Sequence, residues 1–313
     1  MAAHLASRKA STGGNGILMA VRDVAGGLGW PEGPSVLDDG RIVFVEKYSS
    51  GLSIWSPEER ESRHFAFTGG GPGATALGSD GSLYVTQNGG VMGRFVAETQ
   101  VPPSIQRVSP DGSSVEIVAT EVAGRKLRSP NDLAFGADGR LYFTDPGRID
   151  LSNPDQRGCV FALNPDGSGE LIAEMPPTFP NGIAADHDGS IVWVETLTRA
   201  VTRYLGDGRT EHICTLPEGH RPDGLAIAAD GCLYIAVTDA GGIDVVDREG
   251  AVIDFLAVGS VVTNCAFSGS TLYVTDGNQG PMLDPAFVGH LWAIELEAVA
   301  AVAPFRGTVE RHA

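Results

Sequence analysis

The chain has 313 residues, a formal net charge of −17, 42 glycines, 19 prolines and 42% hydrophobic residues. That balance excludes collagen-like chains, and the acidity disfavours nucleic acid and anionic membranes, whose phosphates are met by Lys and Arg. No stretch approaches the ~20 apolar residues of a membrane helix, and the N-terminal MAAHLASRKASTGGNG lacks the apolar core of a signal peptide, so the expected location is the cytoplasm.

Residues 1–14 are small and polar and are expected to form a disordered tail, followed by a single domain over residues 15–313. The apolar segment ILMAVRDVAGG (17–27) precedes the first full repeat and is predicted to pair with the last one, removing an exposed sheet edge. The repeat itself is a short apolar strand, a Gly-containing turn and a second strand rich in Tyr, Val and Phe. Copies begin at Glu32 (EGPSVLDDGRIVFVE), Gly73, Asn131, Asn181, Asp223 and Asn264, the last with a shorter turn. Glycine supplies the positive φ of a tight hairpin.

Third strands follow most copies, such as GLSIWS, SIQRVS, GCVFALN, VTRYL and GIDVVD, and fourth strands such as SVEIVA, GELIA, TEHICTL and VIDFLA. Six four-stranded units at a spacing of about 40 to 60 residues favour an all-β, six-bladed β-propeller with antiparallel blades over one large sandwich or barrel. The one tempting helical stretch is ELEAVAAVAP (295–304). The cysteines, Cys159, Cys214, Cys232 and Cys265, are widely spaced with no CxxC, and read as buried thiols in a reducing compartment.

In a propeller the first strand of each blade lines the central channel, and a hairpin returns to the face it left. The opening positions are Glu32, Gly73, Asn131, Asn181, Asp223 and Asn264. Taken singly each is an ordinary turn residue; their recurrence at one aligned position points to a ring of oxygen-bearing side chains. The closing positions Glu46, Gln87, Asp145, Glu195, Val237 and Asp276 are expected to form a second, wider ring. Crowded carboxylates repel unless a cation relieves them, and oxygen-only ligands suit a hard divalent ion, Ca²⁺ first, with Mg²⁺, Mn²⁺ or Zn²⁺ as alternatives. The seven histidines are scattered and none opens an inner strand, and there is no GxSxG nucleophile elbow.

The motifs WPEGP (30–34), SPNDLAF (129–135), PNGIA (180–184) and RPDGLA (221–226), in order on successive blades, resemble the gluconolactonase/regucalcin family, also called the senescence marker protein or LRE-like family. The resemblance implies one divalent metal ion held by Glu32, Asn131, Asn181 and Asp223, with Asn264 a further channel residue. It implies a metal-dependent lactonase acting on a small-molecule lactone, with the ion polarising the carbonyl and activating water, and Asp223 as general base. Where some sugar-lactonase members carry a substrate-holding Arg, this chain has Ser129, with Arg128 beside it; Arg128, Gln87 and Asn88 in TQNGG, and Asn264 are the candidate substrate contacts. The competing readings are a metal-dependent phosphotriesterase on the same scaffold, a non-catalytic calcium-binding protein and a propeller interaction module. The sequence carries no signal for an oligomeric state.

Overall fold

The structure is a computed structural model that describes residues 8–9, 20–147, 157–278, 285–297, 299 and 302–311. Six four-stranded antiparallel sheets succeed one another along the chain, as the repeat predicts. Blade 1 comprises Pro31–Val36, Ile42–Glu46, Gly51–Ser56 and Glu61–Phe67. Blades 2 to 5 have inner strands Pro72–Leu77, Leu133–Phe135, Pro180–Ala185 and Pro222–Ile227. Blade 6 is built from Val262–Ser268, Thr271–Asp276 and Gly289–Glu295, and its outer strand is the N-terminal Ala20–Leu28, which pairs with Gly289–Glu295 and closes the ring. Each inner strand packs against the next, and the sixth packs against the first. The expected N-terminal tail lies outside the described residues except for Arg8–Lys9, which pair with Ala20–Val21. The described residues contain no α-helix; Glu295, which begins the helix-like ELEAVAAVAP stretch, instead ends a strand, and several later residues of that stretch lie outside the described ones. Among the described residues, no helix is long and apolar enough to cross a membrane.

The Asp-Gly turns work as pairs of residues. Gly40, Gly81, Gly139, Gly189 and Gly231 all have φ between +78° and +88°. The preceding aspartates, among them Asp39, Asp138 and Asp230, accept the backbone N–H two residues on, so the carboxylate closes the turn that the glycine permits.

Apolar side chains gather in layers between blades. Val43, Val45 and Ile54 of blade 1 meet Leu77, Leu83 and Val85 of blade 2, and corresponding clusters fill the other five interfaces, ending with Phe44 and Trp55 against Tyr273 and Leu291. Stability is thus distributed around the ring in nearest-neighbour contacts. The C-terminal segment 302–311 crosses to blades 2 and 3. Val309 is buried and exchanges two hydrogen bonds with the Tyr84 hydroxyl, and the Glu310 N–H donates to the Pro165 carbonyl. All four cysteines are free thiols; Cys159 and Cys265 are buried, Cys214 and Cys232 half-buried.

Candidate metal centre

Every inner strand carries an irregularity at its channel end. Pro31 faces Glu46 and Ser35 faces Val43, so one extra residue is squeezed in between. The same slip recurs between Pro72 and Thr75, Pro180 and Ile183, Pro222 and Leu225, and Val262 and Asn264. Bulges re-aim side chains next to functional sites. The residue after each bulge-opening position is Glu32, Gly73, Asn181, Asp223 or Thr263, with Asn131 equivalent in blade 3, where Thr144 pairs with both Asn131 and Asp132.

Blade 6 is therefore one residue out of the register expected from sequence: Thr263, not Asn264, stands in the ring. Its hydroxyl turns to the Pro31 carbonyl at 2.9 Å. Asn264 lies one layer deeper, level with Asp132, and donates to Asp132 Oδ2 at 3.2 Å. The remaining positions of that layer are Gly33, Ala74, Gly182 and Gly224. A side chain on Gly224 would collide with Asn264, so glycine there makes room for the Asp132–Asn264 pair to span the channel. Both residues line a second cavity on the far side, about 170 Å³, partly walled by Val302, Pro304 and Phe305 of the C-terminal segment.

Above that pair, Glu32, Asn131, Asn181 and Asp223 line one cavity of about 290 Å³, together with Lys47 and Asn88. Asn131 Nδ2 donates to Asn181 Oδ1 at 2.7 Å. Asn181 Nδ2 donates to Thr196 Oγ1, whose own proton goes to the Pro222 carbonyl at 2.8 Å. That chain of donors holds Asn181 with its oxygen toward the cavity, and a half-turn of the Asn131 amide would present a second carboxamide oxygen. Burial raises the pKa of Asp223 well above the ordinary carboxylate range, reinforced by the Glu32 charge and opposed by Lys47. Burial likewise raises Glu32, opposed by Lys47 and by the Gly33 N–H. Asp132 is pushed up to about 7 by burial and by the charge of Glu32. Two carboxylates and two carboxamides around one cavity, with a single ammonium as counter-charge, are a donor set that fits a hard divalent cation. Among the described residues no three His, Cys, Asp or Glu side chains cluster as a metal site, so any such ion depends on the carboxamides.

Threonine hydroxyls hold the backbones of the ring positions from the neighbouring blade, a device that sequence reasoning missed. Thr86 bonds the Asn131 carbonyl at 2.5 Å, Thr144 the Asn181 carbonyl at 2.6 Å and Thr196 the Pro222 carbonyl. Thr86 and Thr144 immediately precede the closing positions Gln87 and Asp145, where the repeat marks them.

The closing positions do not form a second ring of free oxygens. Asp145 accepts the N–H groups of Arg128, Ser129 and Gly147, and Asp276 those of Ser260, Val261 and Asn278. Glu46 bonds the Gly29 N–H and the Ser53 hydroxyl. These carboxylates staple the loops entering each blade, because the loops bring uncompensated N–H groups toward buried acceptors. Gln87 does the same, binding the Gly71 N–H at 2.6 Å and the Gly69 carbonyl at 2.8 Å, and does not line the cavity. The Arg128 guanidinium bonds the Arg157 carbonyl in a separate surface pocket. Asn88 does line the cavity, with Oδ1 accepting the Gly90 N–H at 2.8 Å. His187 is exposed in its turn and lines the far-side cavity, not the cavity of the ring.

Two cavity-wall residues, Trp30 and Phe179, have left-handed backbones with φ of 55° and 62°. Each precedes a proline, which itself disfavours compact conformations at the residue before it. Such strain costs on the order of 1–3 kcal/mol and clusters at functional sites.

A family model for the SMP-30/gluconolactonase/LRE-like region matches residues 30–278. A gluconolactonase of Zymomonas mobilis is 26% identical over 290 residues, covering 80% of this chain and 77% of that protein. Among solved structures, a gluconolactonase from Xanthomonas campestris superposes with a TM-score of 0.72 at 22% identity, covering 89% of this chain and 90% of the other. The calcium-binding protein regucalcin from Agrobacterium tumefaciens does so with a TM-score of 0.72 at 18% identity, covering 93% and 96%. With the family model spanning most of the propeller, from the tryptophan before Glu32 to the end of the sixth blade's second strand, the chain belongs to the SMP-30/gluconolactonase/LRE-like family.

Proposed function

We propose that the protein is a metal-dependent lactonase that opens a small-molecule lactone over the inner ring of the propeller. The observation that carries this reading is the cavity shared by Glu32, Asn131, Asn181 and Asp223, in a chain whose relative in Zymomonas mobilis is named a gluconolactonase. Those four side chains would hold one divalent ion, with Ca²⁺ the first choice for an all-oxygen set. Such an ion supplies Lewis-acid polarisation of an ester carbonyl.

The chain's own residues do the rest. Glu32 and Asp223 concentrate negative charge at the cavity floor. Asn181, fixed by Thr196, presents its carboxamide at the same cavity. Asp223, whose proton affinity is raised by burial and by Glu32, accepts the proton of the attacking water as general base. The loops stapled by Asp145 and Glu46 keep the cavity walls in place while the ester is cleaved.

The test is a metal-stripped enzyme reconstituted separately with Ca²⁺, Mn²⁺, Mg²⁺ and Zn²⁺ and assayed on γ- and δ-lactones beside an organophosphate triester. Lactone turnover restored by a divalent ion, and lost in Glu32→Gln and Asn181→Ala, is the expected outcome. Full activity in chelator would refute metal dependence. Turnover by Asp223→Asn with metal bound would remove the base assignment. The likeness to regucalcin favours a second reading, calcium binding without catalysis; it predicts calorimetric Ca²⁺ binding with no turnover of any substrate.

A further inference from the structure

The floor and the wall of the cavity differ in chemistry. Its charged groups and carboxamide oxygens lie around the starts of the inner strands, whereas the wall is formed by Trp30, Val91, Met92, Pro130, Pro146 and Phe179. Val91 belongs to a small hairpin, Val91–Met92 paired with Phe95–Val96, inserted between the second and third strands of blade 2. Val91 is 46% exposed, so the apolar lining continues outward to solvent at the mouth. Trp30 and Phe179 hold the disfavoured left-handed backbones already described, which set these aromatic residues immediately before Pro31 and Pro180 at the cavity.

Among the described residues, several polar groups that a polyhydroxylated ring could use are directed elsewhere, leaving Ser129 and the Asn88 amide nitrogen beside Lys47 at the wall. The Arg128 guanidinium faces a separate surface pocket, and Gln87 is fully buried and committed to Gly69 and Gly71. Asn88 Oδ1 is engaged by the Gly90 N–H. Among the described lining residues, Lys47 is the lone cation, and its ammonium faces Glu32. A sugar lactone placed here would bury several hydroxyls against hydrocarbon, where each hydroxyl without a partner is penalised.

Resting on the lactonase reading, we infer that the preferred substrate is a lactone bearing an apolar alkyl or aryl substituent, with the ester over the ring and the substituent against Trp30, Phe179 and Val91. Hydrolysis adds one water across the acyl carbon–oxygen bond. The hydroxyl goes to the acyl carbon, which becomes a carboxylic acid, and a proton goes to the departing ring oxygen, giving a hydroxy acid.

The experiment compares kcat/KM for unsubstituted, butyl-, pentyl- and hexyl-substituted γ- and δ-lactones with that for δ-gluconolactone, on the metal-reconstituted enzyme. The expected result is a rise of about fourfold per added methylene until the wall is covered, the factor equivalent to burying one methylene, with gluconolactone at least tenfold below the pentyl compounds. Val91→Ser and Phe179→Ala should flatten that rise through KM, so that the ratio of kcat/KM for the pentyl lactone to that for the unsubstituted lactone falls. Preference for gluconolactone, or no dependence on chain length, overturns the inference. A parallel fluorescence titration with non-hydrolysable pentyl δ-lactam and gluconolactam separates the two proposals. Selective binding of the pentyl lactam without any lactone turnover sinks the lactonase reading and leaves the apolar ligand class standing; tighter binding of gluconolactam overturns the ligand class.

Discussion

The Lys47 ammonium lies 3.9 Å from Glu32 Oε1, and both side chains are buried. It lowers the proton affinity of Glu32 and, through space, of Asp223. Lys47 sits in a single 3₁₀ turn, Lys47–Ser49, immediately after the second strand of blade 1, and the Lys47 N–H bonds the Trp30 carbonyl at 3.2 Å. The chain thus supplies its own cation to the place where a divalent ion would be held.

Removing that cation should separate the two roles. In Lys47→Met the carboxylates lose their internal partner, and breaking a buried pair typically costs about 3–5 kcal/mol. The melting temperature in chelator is expected to fall. Calcium affinity, measured by competition with a chromophoric chelator, is expected to tighten at least tenfold, because the ion no longer meets a fixed positive charge. Unchanged affinity would show that the lysine swings clear of the ion at no cost.

The metal-free protein should lose stability as pH rises. Asp132 has a folded-state pKa of about 7, against roughly 3.9 for an unperturbed aspartate. The folded state therefore binds the proton more tightly, and this stabilisation is complete below about pH 4 and lost as pH climbs to 7. Its span is on the order of 4 kcal/mol, and the upward shifts of Glu32 and Asp223 act in the same direction. Urea melts in chelator at pH 5, 6, 7 and 8 should show the decline, and Asp132→Asn should make it shallower, leaving the part due to Glu32 and Asp223.

Thr144→Val is close in shape to the original but deletes two contacts. The hydroxyl accepts the Asp132 N–H at 3.1 Å and donates to the Asn181 carbonyl at 2.6 Å. One partner belongs to the ring residue Asn181 and the other follows the ring residue Asn131; both become unsatisfied, at a cost of about 1–3 kcal/mol each. Chemical denaturation should register a loss of this order, and metal affinity should weaken with it, since two adjacent blades lose their hydroxyl tie. Thr215→Val, on an exposed outer strand, serves as the control and should change neither.

Tyr84→Phe should loosen the C-terminal segment without touching the ring. The phenol accepts the Val309 N–H at 2.8 Å and donates to its carbonyl at 3.3 Å. Limited proteolysis coupled to mass spectrometry is expected to show faster cleavage between residues 302 and 311. Stability should fall by about 0.5–1.5 kcal/mol per bond, with lactone turnover preserved.

The repeat makes the architecture legible from the sequence. A two-residue side-chain alternation, Asp-Gly turns and four strands per unit are local properties, so they carry the blade count, the closure by the N-terminal strand and the convergence of Glu32, Asn131, Asn181 and Asp223 on one cavity. The strands of lowest repeat similarity, Glu61–Phe67 and Gly289–Glu295, are not legible in this way, because their positions are set by pairing with a neighbour rather than by their own pattern.

Only the tertiary structure decided where the polar side chains point. The bulge recurs in the other blades, but blade 6 has a shorter turn, Ser268 pairing with Thr271, and only the strand pairing fixes the count that puts Thr263 rather than Asn264 in the ring. Asp145, Glu46 and Asp276 turned away from the channel because incoming loops brought N–H groups that buried carboxylates could satisfy. Lys47, Trp30 and Phe179 reached the cavity from loops, whose course depends on packing between blades and not on any period that a single chain can reveal.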